Sequence, residues 1–547
     1  MGQKTRVKGK KTGISFILEE LNSLLYLSVM LGVFPLFFLK QYEKIGTLKY
    51  TLFWYSSLIF LGLGMGIAIM RGVQIWWGQK SSPNILSVKG HKYYVLRLSF
   101  MDKAMVAYGV CVLLSFLFSD NKEFALKGAP GWDMGLYTQL IFLGLYWVLS
   151  RQKVLIKPVL LIHFAASGIV FLLGILHRFD VDPLGMYPGL TVLQKQEFLS
   201  TIGQATWYSS YVCTVFILGV LVFYFSEKFW MQLGAGIYAV LSFATLVTQN
   251  SDSAFFALAA VMILFGYCSL SKGERLVRFW QVMTFLWGTF GAVGMIQLMA
   301  GERMIPLDRL SLFFSQSILT WIFFGLSLCI YLFLARMEEN RLQGLLPLIR
   351  KVYRGLLLVL GIGVLAVILF IYLNTKGYLL DWLGYQSAHS YLYFDEHWGN
   401  NRGLAWMVCW EQFLRLPLLH KVFGVGPDSL SAYLYSLPDA GERLRSFWGS
   451  FTLTNAHNEY LNHLLCYGLA GLGAWLAILV GGIRYFYVKA KEEPVLLGCA
   501  LCILAYSCHN FFCYQQVCCT PFLFLLIGIG EGLTKQGKSP TIIKSNN

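Results

Sequence analysis

Two short stretches in the last third of the chain bring together residue types that can do chemistry. They read NNRGLAWMVCW, Asn400 to Trp410, and TNAHNEYLNHLLCYGLAGLGAW, Thr454 to Trp475. In the second, Thr454 and Asn455 are good helix N-caps and an apolar run begins at Tyr460 and Leu461. The spacing therefore predicts His457 in the first turn of a long apolar helix. The positive end of a helix dipole disfavours imidazolium, and a neutral imidazole is what a general base requires. Glu459 pulls the other way. The plainer reading is an interfacial histidine that caps a helix, and spacing alone leaves both standing. Arg402 follows Asn400 and Asn401 and precedes an amphipathic run, Leu404 to Leu414. A guanidinium beside a membrane offers a planar, bidentate fork suited to a diphosphate. The plainer reading is an arginine snorkelling to lipid phosphates.

Other polar groups fit less specific roles. Arg415, Arg443 and Arg445 read as further loop-surface cations. In FGVGPDSLSAYL, Phe423 to Leu434, the residues Gly424, Gly426 and Pro427 make a rigid turn that returns the chain to the membrane. Asp428 is placed to cap the next turn of chain, with direct substrate contact as the alternative. Asp180 and Asp182 form a D-x-D that could hold a divalent ion or supply two turn residues before Pro183. Asp252, in NSDS, falls at a helix start, where the dipole stabilises a carboxylate. His163 and His509 lie in apolar runs and read as satisfied bundle histidines, and His389, His397, His420 and His463 show no metal-ligand spacing. Cys499 and Cys502 form a C-x-x-C inside an apolar run, where a thiol is a small hydrophobe. No P-loop or dinucleotide-binding glycine motif is present.

The elements that must position these groups are membrane helices. Of 547 residues, 56% are hydrophobic and 13% charged, about half the charge of a typical soluble domain. A bilayer core of about 30 Å needs roughly 20 apolar residues per helix. Fourteen segments qualify or come close, near 21–39, 52–70, 104–119, 134–150, 158–176, 206–225, 230–249, 254–270, 279–300, 310–335, 355–373, 456–482, 495–511 and 517–532. The expected fold is an all-α polytopic bundle. Its parts are a transmembrane region over 1–373, a large loop over 374–455, C-terminal membrane helices over 456–532 and a tail over 533–547. With the N-terminus inside, 29 of the 44 Lys and Arg fall on cytoplasmic segments. The positive-inside rule thus puts both termini in the cytoplasm and the large loop outside. Loops 271–278 and 336–354 are then short, basic and cytoplasmic. Lys4, Arg6, Lys8, Lys10 and Lys11 precede the first apolar run without a small-residue cleavage site, so no cleaved leader is expected. The net charge of +16 is spread between apolar spans, as loop anchors are, and does not point to nucleic acid.

The order of motifs resembles a known family. Arg402-x-x-x-Trp406, then PLLHKVFGVGPDSL, then AHNEYLNHLLCYGLAGL is similar to the O-antigen ligase and O-antigen polymerase superfamily. There an H-N-x-Y-L followed by a Gly-Leu pair opens the helix after a large external loop. His457, Asn458, Tyr460, Leu461, Gly468 and Leu469 match it. The likeness covers roughly 399–475 and extends to Phe198–Val212, where Gly203 and Gln204 stand in place of a Gly-Asn-x-Asn. The resemblance implies an inverting, metal-independent membrane glycosyltransferase of bacterial cell membranes that uses no cofactor. Its donor would be a glycan on a polyprenyl diphosphate, and its acceptor a glycan or glycolipid. His457 would take the base role and Arg402 would bind the diphosphate; Asn458 and Gln204 fall at motif positions and, with Asp252 and Asp428 from the reading of the residues themselves, are the further candidate substrate contacts. Many members carry a Ser-Arg pair where this chain has Ser251 and Asp252. Either another cation, Arg178 or Arg443, replaces that arginine, or Asp252 acts through a bound cation or on the acceptor.

Two other functions fit the same scaffold. A flippase for lipid-linked glycans would place ionisable groups at mid-membrane, whereas here charge avoids the span centres. A peptidoglycan-type glycan polymerase would use a loop carboxylate, Asp395, Glu396 or Asp428, and would not need His457. The loop aromatics Trp382, Tyr385, Tyr391, Tyr393, Trp398, Trp406, Trp410 and Trp448 read mostly as an interfacial belt that can also stack on sugars.

Overall fold

The computed structural model describes residues 14–76, 85–88, 91–94, 98–389 and 391–536. The five N-terminal basic residues and the tail beyond 536 lie outside the described residues. The protein is an all-α, multi-pass membrane bundle. Each of the fourteen apolar segments overlaps helical structure, with 310–335 split at Ser317 into Arg309–Gln316 and Ile318–Ala335, and among the described residues eleven helices are long and apolar enough to cross a bilayer. The other three, Leu136–Leu149, Val495–His509 and Thr520–Gln536, are shorter. Val495–His509 is the most enclosed of them, with nearly every side chain buried against neighbouring helices. The described strands are two short hairpins, Ile85–Val88 with His91–Tyr94 and Phe198–Leu199 with Gly203–Gln204.

Two expectations about loops are corrected. Residues 336–354 are not a short loop. Helix Glu339–Thr375 runs unbroken through them, and its 37 residues at 1.5 Å each reach about 55 Å, well beyond a bilayer core. The region read as one large loop over 374–455 contains helices of its own, Tyr378–Leu383, Trp398–Arg415, Leu418–Phe423, Leu430–Ser436 and Pro438–Trp448. Its amphipathic run buries Leu404, Ala405, Val408 and Phe413 on one side of Trp398–Arg415, the periodicity of a helix with one apolar face.

The segment that opens at His457 is the mechanical centre. Helix Glu459–Lys489 is broken at Gly468, whose φ of 67° and ψ of −171° lie in a region open essentially only to glycine. The carbonyls freed by a break inside a membrane need new donors. The FGVGPDS turn supplies them: Val425 N–H donates to Leu465 O at 3.0 Å and Gly426 N–H to Cys466 O at 3.1 Å. Ser115 Oγ adds a bond to Cys466 O at 2.6 Å. The two backbones meet so closely that a Cβ at Gly424 would run into the Cys466 carbonyl, and one at Gly468 into that of Val422. Both sequence motifs are thus halves of one clamp. Its other tie is Asp428, which does not cap the following helix as expected. Its Oδ2 accepts the N–H groups of Ala129 at 2.8 Å and Met134 at 3.1 Å, fixing the loop to the 128–135 turn.

Candidate functional site

Arg402 and His457 reach one place from two directions. Gly399, Asn400 and Asn401 all adopt left-handed backbone, so the regular part of Trp398–Arg415 begins at Arg402. Gly and Asn tolerate that conformation best, which explains the GNN triplet. Gly403 lets the new helix start against the Asp395 carbonyl, which a Cβ would strike. Arg402 is largely buried. Its Nη1 donates to Gly399 O at 3.0 Å, while its buried Nε has no partner among the described residues. Burial lowers the guanidinium from its ordinary value, and Cys513, Asp252, Tyr514 and Tyr391 oppose that fall.

His457 is not in the first turn, as the spacing suggested. It precedes the true N-cap, Asn458, whose side chain accepts from Leu461 N–H at 2.9 Å. Asn455 instead holds His457 itself, through a 3.0 Å bond from the His457 backbone N–H. His457 has a φ of 48°, uncommon for a residue with a side chain. Its ring stands edge-on to Tyr514 with centroids 5.3 Å apart. Burial, and then the neighbouring Arg402 cation, depress its pKa from 6.5 to about 4. The imidazole is therefore neutral at pH 7 because of desolvation and a guanidinium, and not because of the helix dipole invoked from the sequence.

Other residues complete the surroundings. Asp252 opens helix Asp252–Ser269, and its Oδ2 accepts from Tyr391 Oη at 3.2 Å while its buried Oδ1 has no partner among the described residues. Asp252 lies within electrostatic reach of Arg402 and of Asp308, and Asp308 within reach of Arg178. Charges of both signs are therefore coupled pairwise, Arg178 with Asp308, Asp308 with Asp252, and Asp252 with Arg402. Arg178 is fully buried. Its Nε donates to Thr248 O at 2.9 Å, and Nη1 and Nη2 have no hydrogen-bond partner among the described residues. His509 is satisfied, with Nε2 at 2.8 Å from Ser209 Oγ and 3.0 Å from Ser253 Oγ, and it also feels Arg402. His163 is not satisfied as expected, since neither ring nitrogen has a partner among the described residues.

Several candidates stand elsewhere or are already engaged. Arg443 is held on the loop surface between Glu396 at 2.9 Å and Glu411 at 3.2 Å, which leaves it poorly suited to bind a diphosphate. Gln204 accepts from Thr206 N–H at 3.1 Å and caps helix Ala205–Phe225. Asn458 and Asp428 spend their side chains on backbone amides. Asp180 pairs with Lys195 at 2.7 Å, and Asp182 accepts Tyr187 N–H at 2.7 Å, so the D-x-D is a turn.

Sequence reasoning missed the segment between the last two helices. Asn510, Cys513, Tyr514, Gln515 and Gln516 are all buried there, and Tyr514 packs against His457 within electrostatic reach of Arg402. Three amides in an otherwise apolar run were the available signal. Asn510 also ties the segment to the clamp: its carbonyl accepts Glu459 N–H at 3.0 Å, and its side chain donates to the Glu459 carboxylate, which Tyr506 Oη also contacts at 2.9 Å. Beside Tyr514, a cavity walled by Trp132, Asn455 and Gln515, which neither Arg402 nor His457 lines, has a volume of about 10 Å³, room for about one water. No protein-family model matches the chain, and comparison with curated proteins finds no match.

Proposed function

We propose that the protein is a membrane glycosyltransferase that moves a glycan from a polyprenyl diphosphate to an acceptor hydroxyl on the outer face of the cell membrane. The observation that carries this reading is the convergence of a neutral, desolvated imidazole and a buried guanidinium, His457 and Arg402, beside Tyr514. In this scheme Arg402 binds the diphosphate through its fork. Arg178, whose two Nη groups have no hydrogen-bond partner among the described residues, supplies the second cation that the resemblance places at position 252. The acceptor hydroxyl attacks the anomeric carbon, its proton passes to a ring nitrogen of His457, and the bond to the diphosphate breaks with inversion. The leaving oxygens carry the developing charge, which the arginines stabilise.

The Tyr391–Asp252 hydrogen bond and the 3.4 Å bond from Trp398 Nε1 to Tyr391 O tie residues 391–398 across the site. That segment is the natural one to move when donor binds. The orientation rests on the charge bias of the loops, with both termini cytoplasmic and the 374–455 region external.

The test is incubation of the purified protein with a polyprenyl-diphosphate oligosaccharide and candidate acceptors. A single-step product identifies a ligase and a ladder identifies a polymerase. No product with any acceptor, combined with glycan movement across liposomes, replaces this reading with a flippase.

A further inference from the structure

A second site lies at the other end of the bundle. Helix Asp252–Ser269 carries Asp252 at its start and Tyr267 and Cys268 near its end. Eighteen residues at 1.5 Å each separate those ends by about 27 Å, close to the thickness of a bilayer core. Tyr267 and Cys268 line a cavity of about 620 Å³, within the range of small-molecule sites. Its wall, among the described residues, holds five cations, Lys272, Arg275, Arg350, Arg354 and Lys491, and no carboxylate.

Part of that charge has an ordinary structural use. Arg350 Nη2 donates to Leu270 O at 2.7 Å, capping a helix end, and Arg354 Nη2 donates to Tyr267 Oη at 3.0 Å. Arg275 lies over the Tyr224 and Phe225 rings, 5.1 and 4.2 Å from their centroids. None of the five makes an ion pair among the described residues, although Glu274 is on the same helix as Arg275 and Glu492 pairs with Lys489 instead. Converging like charges without counterions favour an anion between them.

The anion's other half is indicated next door. Phe225 also lines an apolar groove of about 820 Å³, whose wall includes Leu160, Phe164, Val222 and Leu241. We infer that the paired cavities hold an anionic phospholipid, with its phosphate among the five cations and an acyl chain along the apolar groove. Free phosphate would share the first contact but has no use for the second. The site faces the membrane surface opposite Arg402 and His457, so it is separate from the proposed donor and does not depend on that reading.

The experiment is native mass spectrometry of the full-length protein released from nanodiscs of phosphatidylglycerol, of phosphatidylcholine, or of the former with inorganic phosphate added. Phosphatidylglycerol adducts are expected to persist where phosphatidylcholine adducts do not. The Arg275→Gln/Arg354→Gln variant should bind the anionic lipid roughly 25-fold more weakly, about fivefold per cation. The Arg275→Lys/Arg354→Lys variant should keep most of the binding, because the headgroup contact is chiefly one of charge. Equal retention of the two lipids overturns the proposal, and so does inorganic phosphate that displaces phosphatidylglycerol. If the glutamine variant fails to fold, the lipid comparison on the unaltered protein and the lysine variant decides alone.

Discussion

If His457 takes the acceptor proton, its pH dependence should differ between the free protein and the donor complex. Burial and Arg402 hold the free imidazole at about 4 instead of 6.5, a difference of about 3 kcal/mol at 1.36 kcal/mol per pH unit. The acid limb of kcat/KM, which reports the free enzyme, should therefore lie far below the ordinary histidine range. A diphosphate seated on Arg402 reverses the second of those causes. One negative charge about 6 Å from the ring, at an effective dielectric of about 20, contributes about 3 kcal/mol. That raises the imidazole by about two pH units. The acid limb of kcat, which reports the complex, should move up by that amount, bringing the base closer to the working pH when it is needed. Arg402→Gln should move the kcat/KM limb upward as well, because the cation beside the ring is gone. The assay is the initial rate of transfer from a polyprenyl-diphosphate oligosaccharide, followed from about pH 3 to about pH 8 so that both limbs fall inside the range. His457→Ala should lose about 10²–10⁴ in rate with unchanged protein yield. Coincident limbs, or a His457→Ala protein with full activity, would refute the base assignment.

Arg402→Lys should restore little of what Arg402→Ala loses, since a point charge cannot reproduce the fork; donor KM and kcat of the two variants measure this. Asp428→Asn should retain activity and stability, because an amide oxygen can still accept from Ala129 and Met134. Asp428→Ala leaves both amides unpaired and should cost about 1–3 kcal/mol. An inactive but folded Asp428→Asn protein would instead favour the loop-carboxylate polymerase mechanism. Gly468→Ala should cost about 1–3 kcal/mol from its backbone conformation alone, with overlap against Val422 added; thermal unfolding in detergent and protease sensitivity at 422–426 report it. Tyr391→Phe removes the hydrogen bond to Asp252 and should raise the proteolysis rate of 384–398 without abolishing transfer.

The helices were legible because apolar runs of about 20 residues have few alternatives in a long hydrophobic chain. Each of the fourteen segments overlaps helical structure, with 310–335 broken at Ser317 and ends displaced by up to about 16 residues where a helix continues beyond the apolar core, as at Glu339. The break at Gly468 was not legible. A glycine in an apolar run reads as a packing residue, and only the approach of Val422 and Gly424 shows why the helix must stop there. The cap was misplaced for a related reason. Thr454, Asn455 and Asn458 are all competent N-caps, and the choice among them depends on tertiary contacts at Asn455 and Tyr514 that spacing does not contain. Arg443 looked equivalent to Arg402 in sequence. They differ because Glu396 and Glu411 meet Arg443, whereas Arg402 is buried behind the GNN turn.

The carboxylate at position 252 then has a physical role that the sequence comparison left open. Two buried arginines without counter-charges would be costly to keep in a desolvated site. Asp308 is within electrostatic reach of Arg178 and Asp252 of Arg402, and each acid offsets part of that cost. A diphosphate carries negative charge of its own and competes with those acids for the same guanidinium groups. On the proposed reading, donor binding therefore weakens the attraction of Arg402 for Asp252, and with it the hold of the Tyr391 contact that ties the loop to Asp252. Charge exchange at Asp252 would thereby couple arrival of the donor to opening of the segment that encloses it. An Asp252→Asn protein should hold Arg402 less firmly in the free state and bind the donor diphosphate more tightly, because the competing charge is gone. A weaker donor affinity in that variant would instead mean that Asp252 contacts substrate directly or through a bound cation.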